Sequence, residues 1–213
     1  TALACLGDTG RSLYFFSGGK GQYLVKNKKM TAPSFDSFGW LWVAESDGAV
    51  RAYNAASTNE KERSKGIEIP VSWRSGMTFS SLRISHDGAR VVVVGTRDGT
   101  AAVVMSGVVR DSSGTPKGFT EPVRVTSSIT PRTAVWAGEQ NLVVVNDKTG
   151  ESEVTTLSGE ETKFDRLDGV KSVSAAGNTS NMLAHRSDGS CYVLEERGWN
   201  RLNTSTREMS FAG

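Results

Sequence analysis

One local pattern recurs along this chain and limits what the chain can fold into. It consists of a short strand, a polar turn, a longer apolar strand, a tight glycine-containing turn and a third strand. Two copies occupy residues 34–53 and 82–104, and looser copies occupy 3–25, 133–155 and 172–194. A repeated supersecondary unit is the signature of a repeat architecture. The sequence therefore predicts about five similar small antiparallel sheets.

The spacing of the turn glycines indicates how these units are arranged. The interval is 51 residues from Gly48 to Gly99 and from Gly99 to Gly150, whereas Gly189 follows after 39 and Gly21 precedes Gly48 by 27. Most of these intervals are near the roughly 40–50 residues of a four-stranded propeller blade. We predict an all-β protein, a β-propeller of about five blades that forms a single domain over 1–213. A β-sandwich is the structural alternative, because it also contains many short strands.

Strand composition supports stacked blades. Residues 91–94 and 142–145 are apolar at successive positions, as expected for strands that are covered on both faces. Asp47–Gly48 and Asp98–Gly99 are expected to form two-residue hairpins with positive φ. Fourth strands are predicted at 67–71, 118–125, 162–166 and 199–202, whereas the first copy either lacks one or has it compressed into 28–31.

The overall charge argues against nucleic acid as a partner. The chain has 25 Lys and Arg against 23 Asp and Glu, a formal charge of +2. This is too small for the basic field that binding to a phosphate backbone needs. No apolar run approaches the ~20 residues of a membrane span. Any targeting signal is expected to lie upstream of this chain.

No motif in the sequence predicts catalysis or metal binding. The two histidines, His86 and His185, lie outside any recognisable catalytic segment, and there is no G-x-S-x-G, C-x-x-C, H-E-x-x-H or calcium-loop pattern. Residues 18–21 fit a hairpin better than a phosphate-binding loop. We therefore expect no catalytic residue, no metal and no cofactor, so that the protein is not an enzyme.

A site assembled in the central channel from several blades would leave no local signature, however. The alternative functions are thus a propeller hydrolase or lactonase and a ligand-binding propeller with a channel site. The innermost strands offer poor metal ligands, namely Cys5, Phe35, Ile84, Trp136 and Ser174. A WD-type scaffold is disfavoured, because the chain has no Trp-Asp dipeptide and no Gly-His pair.

The cysteines and two tryptophans each allow two interpretations. Cys5 and Cys191 are either small buried residues or form a disulfide between the first and last blades. Their predicted positions, on an inner strand and on a third strand, argue against the disulfide. Trp40 and Trp42 are two residues apart on one strand and share a face. That face either packs between blades or forms an aromatic binding platform.

Two insertions, 54–66 and 110–117, each join a third strand to a fourth and are expected to emerge on one face of the propeller. Loops on a rigid scaffold commonly carry function. We predict that this face binds a protein partner, whereas the basic run Lys26, Lys28 and Lys29 fits solvated surface. The predicted partner-binding residues are Lys61, Glu62, Arg63, Lys65, Arg110, Asp111 and Lys117.

Two segments, 32–43 (APSFDSFGWLWV) and 82–91 (LRISHDGARV), resemble the C-terminal propeller of the LpqB lipoproteins of actinobacterial cell envelopes. The resemblance extends in order and spacing over most of the chain. It implies an extracytoplasmic, lipid-anchored location at the cell membrane or cell wall and a non-enzymatic accessory role to a membrane sensor histidine kinase. In that family a lipid-modified cysteine and a separate globular region precede the propeller.

Overall fold

Strand pairing is local throughout this computed structural model, which describes residues 2–158, 164–175, 182–196 and 198–202. The described strands form five antiparallel sheets, each made from one consecutive stretch of chain. Sheets 1–3 lie in one compact unit, Thr1–Val125, and sheets 4 and 5 lie in a second, Thr126–Gly213. Five small meandering sheets in succession are the blades of a β-propeller, as predicted, and not the interleaved strands of a sandwich.

Sheet 1 has three strands in the part of the chain that the structure describes: β1 (Ala2–Gly7), β2 (Ser12–Ser17) and β3 (Lys20–Val25). The turn at Gly18 and Gly19 joins β2 to β3 as a hairpin, as predicted. Residues 28–31 do not form a fourth strand of this sheet. They lie between sheets 1 and 2: the Lys28 and Met30 amides donate to the carbonyls of Arg11 and Gly10, and the Thr31 amide donates to the Ala44 carbonyl.

Sheet 2 contains four strands and the only helix longer than one turn among the described residues. The helix α1 (Glu60–Lys65) lies between the third and fourth strands, within the first predicted insertion. The strands are β4 (Ser34–Phe35), β5 (Trp40–Ala44), β6 (Val50–Asn54) and β7 (Ile67–Ile69).

Sheet 3 has five strands, because its predicted fourth strand is divided. Both β11 and β12 pair with successive parts of the long strand β10, at Val108–Arg110 and Val103–Met105 respectively. The strands are β8 (Thr78–Ile84), β9 (Arg90–Arg97), β10 (Thr100–Arg110), β11 (Pro116–Phe119) and β12 (Val123–Val125).

The second unit contains sheets 4 and 5. Sheet 4 consists of β13 (Thr133–Ala137), β14 (Asn141–Asn146) and β15 (Glu151–Thr156). Of its predicted fourth strand at 162–166, residues 162 and 163 lie outside the described residues, and 164–166 are not a strand. Sheet 5 consists of β16 (Val170–Ala175), β17 (Met182–Arg186), β18 (Cys191–Glu195) and β19 (Gly198–Arg201), so that the predicted strand at 199–202 is largely confirmed.

Alternate residues of the central strands pack on opposite sides of a sheet. In β5, Leu41 and Val43 join a core with sheet 1, whereas Trp42 and Ala44 join a core with sheet 3. A separate core fills the second unit between sheets 4 and 5. Trp40 packs against the same core as Trp42, which is fully buried. This pair therefore packs between blades and is not a binding platform.

The Asp-Gly hairpins are of two kinds. Asp98 (φ 50°) and Gly99 (φ 79°) form the predicted two-residue turn. At Asp47–Gly48 and Asp188–Gly189 the loop has three residues, and only the glycine has positive φ. The prediction of a two-residue turn at Asp47–Gly48 was wrong, because Glu45 pairs with Ala49 across a three-residue loop.

Candidate interaction surface

Four connections of the first unit meet at one end of sheets 2 and 3. They join first strands to second strands (36–39 and 85–89) and third strands to fourth strands (55–66 and 111–115). We call these connections, together with Lys117 just after the last of them, the loop face. In an antiparallel meander such connections leave the sheet at the same end, opposite the Asp-Gly hairpins. The Ala56 amide donates to the Gly39 carbonyl, and Arg110 contacts both Asp36 and Gly88. The two predicted insertions thus lie on one face.

Asp36 organises the centre of the loop face. Its side chain is fully buried, and one carboxylate oxygen accepts the amides of Phe38 and Trp40, each at 2.9 Å. The other oxygen accepts the Trp42 indole N–H at 2.8 Å and the Arg110 guanidinium at 2.6 Å. With this many donors, the Asp36 carboxylate has a hydrogen-bond partner for each oxygen although it is buried.

Arg110 bonds to three of the four connections that form the loop face. Its Nη2 donates to Asp36 and, at 3.0 Å, to the Gly88 carbonyl, while its Nη1 donates to the Gly114 carbonyl at 2.9 Å. Only 10% of its side chain is exposed. Arg110 was predicted as a partner-binding residue, but the structure places its charge against Asp36 inside the protein. Its visible role is to hold the loop face together.

Phe38 covers this ion pair from the solvent side. The Arg110 guanidinium lies 4.2 Å from the centre of the Phe38 ring, within the range of a cation–π contact. The ring also lies against Gly88 and Gly114, where a Cβ atom would come within 2.8 Å and 3.1 Å of ring carbons. Even so, 51% of Phe38 is exposed to solvent.

Helix α1 is short and is held by local contacts. The Asn59 side chain accepts the Lys61 amide at the N-terminus, and Gly66 (φ 54°) ends the helix. Glutamates lie in its first turn and basic residues in its last turn, which complements the helix dipole. The first insertion therefore contains a folded element.

Arg63 anchors α1 on sheet 1. Its guanidinium lies 5.6 Å from the centre of the Phe15 ring, and its Nε donates to the Gln22 side chain at 3.3 Å. Gln22 in turn donates to the Glu60 carbonyl at 2.9 Å. Like Arg110, Arg63 makes contacts within the protein.

The remaining predicted residues point to solvent. Lys61, Glu62 and Lys65 are exposed on α1. Asp111 and Lys117 are exposed on the second insertion and form an ion pair of 3.1 Å. The Ser113 hydroxyl and the Lys117 ammonium hold the pKa of Asp111 well below its usual range, so this carboxylate is ionised at neutral pH. These five side chains give the loop face its exposed charge of both signs.

The remaining candidate residues are the two histidines and the two cysteines. His86 is exposed in the 85–89 turn, and His185 is exposed in β17. Cys5 is exposed, Cys191 is half-buried, and both are free thiols. In the described part of the chain, no three His, Cys, Asp or Glu side chains are close enough to hold a metal ion.

The basic run at 26–29 is only partly solvated surface. Lys28 pairs with the buried Glu45 at 2.8 Å, and Lys26 lies over the Tyr23 ring. Glu45 also accepts from Arg51, so this run contributes to packing between sheets 1 and 2.

One cavity of about 400 Å³ lies on sheet 5. Strand register places Ser172, His185 and Cys191 side by side on the face that lines it. Leu183 and Leu202 supply apolar lining. The size is within the range of small-molecule sites.

Sequence reasoning missed Asp36 and Phe38. Asp36 lies at the end of a two-residue strand and shows no unusual local pattern, and its partner Arg110 is 74 positions away along the chain. One signal in the sequence could have pointed to Phe38: it precedes Gly39 in a turn that occupies the same place in its repeat as the His86–Gly88 turn does in the next repeat. An exposed aromatic residue in such a turn is unusual, but only the structure shows what holds it.

Several known structures have a similar fold and share little sequence identity with this chain. Chaetomium thermophilum Raptor has a TM-score of 0.56 at 13% identity, over 96% of this chain and 19% of that chain. The Cps50 (Swd1) β-propeller domain of Myceliophteria thermophila has a TM-score of 0.53 at 9% identity, over 89% of this chain and 63% of that one. A chain of a nidogen/laminin complex has a TM-score of 0.57 at 11% identity, over 93% of this chain and 79% of that chain. At these identities the likeness concerns the fold alone.

Sequence comparison goes further. Lipoprotein LpqB of Streptomyces avermitilis is 27% identical over 131 residues, which are 59% of this chain and 21% of that protein. This chain thus aligns with about a fifth of the length of that relative. Within the described residues, no helix has both the length and the apolar character needed to cross a membrane. The profile of the Lipoprotein LpqB beta-propeller domain matches residues 1–209, so the chain belongs to that family.

Proposed function

We propose that this chain is the extracytoplasmic propeller of a cell-envelope lipoprotein and acts as a non-enzymatic interaction module that modulates a membrane sensor histidine kinase. Membership of the LpqB propeller family supports the lipoprotein context. A lipid anchor upstream of this chain would hold the protein at the membrane. The proposal includes no cofactor.

The loop face is the observation that carries a binding role. Its centre is fixed by the Asp36–Arg110 ion pair, and its charged side chains Lys61, Lys65 and Lys117 extend to solvent from folded connections. A rigid surface loses little conformational entropy on binding, and exposed charge favours recognition and fast association with a complementary partner.

A pull-down tests this proposal. The propeller is immobilised, exposed to detergent-solubilised envelope proteins of the source organism, and the eluate is identified by mass spectrometry. We expect recovery of a sensor histidine kinase, with much weaker recovery by a Lys61→Glu, Lys65→Glu variant. Lys148→Glu is the matched control, since Lys148 is an exposed lysine in a hairpin of sheet 4. An eluate identical to that of bare beads would count against a protein partner.

Ligand binding is the second candidate, and the cavity on sheet 5 favours it. Ser172, His185 and Cys191 place hydroxyl, imidazole and thiol groups beside apolar side chains, as in many sites for small molecules. Thermal shift with a metabolite library tests it. Stabilisation that a Leu183→Trp substitution abolishes would support this function, and no stabilisation by any compound would remove it.

A further inference from the structure

We infer that Phe38 is the anchor through which the loop face docks on a folded protein partner, whose surface receives the Phe38 ring in an apolar pocket. This inference specifies the contact site of the proposed function and rests on it for the presence of a protein partner.

The Phe38 ring is held in one orientation although half of it is exposed. Arg110 stacks beneath it, and the absence of side chains at Gly88 and Gly114 lets two turns close on its edges. The Phe38 amide is fixed by Asp36. A side chain that is already immobilised adds apolar area to an interface without the usual loss of rotamer entropy.

The position of Phe38 matches the anatomy of an interface. The 111–115 turn lies against the ring, and the first insertion joins the turn that carries Phe38 through the hydrogen bond from the Ala56 amide to the Gly39 carbonyl. Interfaces commonly have a few buried anchors and a polar rim that excludes water. Here an exposed apolar ring lies among turns that also carry exposed charged side chains.

Electrostatics favour a protein over a membrane as the covering surface. The two turns that touch the ring each carry an aspartate, Asp87 and Asp111. Burial opposes ionisation of Asp87, but hydrogen bonds from the Ser85 hydroxyl and the Ala89 amide lower its pKa overall, and Asp111 is likewise ionised at neutral pH. Lys117 offsets the charge of Asp111, which leaves the Asp87 carboxylate as the charge beside the ring, and a carboxylate repels anionic lipid headgroups. A carboxylate next to the ring suits a protein pocket that is rimmed by N–H donors or basic side chains.

Site-specific photo-crosslinking in cells tests the inference on the full-length protein. A photoreactive benzoylphenylalanine replaces Phe38 in one variant, Lys61 in a second and Val123 in a third. Val123 is the control, because it is an exposed apolar residue (57%) on β12, away from the loop face. We expect position 38 to cross-link to one protein and position 123 to give no such product.

The outcomes separate the two proposals. Cross-linking of a sensor histidine kinase at position 61 but not at position 38 overturns the inference and leaves the proposed function standing. Cross-linking at position 38 to a different protein supports the inference and contradicts the kinase as partner. Cross-linking at position 38 to lipid alone overturns it in favour of a membrane contact, and the absence of any product at either position contradicts both proposals.

Affinity provides the quantitative measurement. Once the partner is identified, Phe38→Ala should weaken its binding about 30-fold, the effect of an interface hot spot, while Phe38→Leu should retain more affinity. Val123→Ala should leave binding unchanged. Both Phe38 variants are compared by circular dichroism and melting temperature, so that loss of folding is distinguished from loss of contact. A folded Phe38→Ala variant with unchanged affinity would contradict the inference.

Discussion

At the scale of single residues, the buried pair of Asp36 and Arg110 dominates the loop face. Each charge is removed from water and is compensated by the other and by neutral hydrogen-bond partners. Removing one member of such a pair leaves the other charge buried and unpaired, which costs more than the net contribution of the intact pair. Arg110, which the sequence analysis predicted to bind a partner, thus makes its visible contacts within the protein.

Arg110→Ala should therefore lower the free energy of unfolding by about 3–5 kcal/mol, because it leaves the Asp36 carboxylate uncompensated. Urea denaturation followed by tryptophan fluorescence measures the loss. The control is Arg132→Ala, which breaks an exposed pair with Asp147 (2.7 Å) and should cost less than about 1 kcal/mol. Similar losses in the free energy of unfolding for the two substitutions would show that the buried Asp36–Arg110 pair stabilises the fold no more than an exposed ion pair does.

The low pKa of Asp111 predicts a pH-dependent contribution to stability. Because its pKa is lower in the folded than in the unfolded state, the ionised group stabilises the fold above the unfolded value of about 3.9, and this contribution is lost as the pH falls through the folded value. Asp111→Asn should lower the melting temperature at pH 7, and the difference from wild type should narrow below about pH 4. A difference that is constant from pH 7 to pH 3 would contradict this assignment.

At the scale of elements, α1 shows how an insertion is used as packing. Sheet 1 has three strands in its described residues, and the helix from the neighbouring blade packs on its third strand through Arg63 and Gln22. Deletion of the whole insertion would remove these contacts, so that a loss of partner binding could not be distinguished from a loss of folding. Single substitutions on the exposed side of α1 are the better probes of partner contact.

Arg63→Ala should loosen α1 without unfolding the blades. Loss of the cation–π contact with Phe15 and of the bond to Gln22 should reduce the free energy of local opening by about 1 kcal/mol. The amides of 61–66 would then exchange with deuterium about fivefold faster. Gln22→Ala should reproduce much of this effect, and Lys61→Ala should not. Unchanged exchange in both Arg63→Ala and Gln22→Ala would mean that α1 is held by other contacts.

Local pattern predicted the strands well and the connections less well. The apolar runs in β9 and β14 are explained by burial on both faces, a property that the sequence of the strand itself reveals. In contrast, 28–31 does not pair with β3: its backbone groups bond to Gly10 and Arg11 on one side and to Ala44 and Ser46 on the other. Backbone hydrogen bonds are open to any residue type, so the sequence of the segment does not reveal this pairing. The Asp36–Arg110 contact depends on the stacking of two blades, which no local spacing encodes.

At the scale of the whole molecule, sequence comparison shows the family of the chain, whereas the loop face is described from the residues of this chain alone. The family profile extends over both compact units, whereas the curated relative is several times longer than this chain. The prediction of a single domain over 1–213 thus stays a prediction. The exposed charges of the loop face and Phe38 all belong to the first unit, so its surface is where we expect partner recognition.

The cysteines give a molecule-wide test of whether the first and last sheets are covalently joined. Cys5 is exposed on β1 and Cys191 is half-buried on β18, and neither is bonded in the structure. Without reductant, the native protein should therefore add two equivalents of iodoacetamide by intact mass, with Cys5 reacting faster because it is more accessible. Prior reduction should change neither the number of adducts nor the melting temperature. A protein that adds none until it is reduced would instead have a Cys5–Cys191 disulfide, and its melting temperature should then fall on reduction, since the cross-link restricts the unfolded chain.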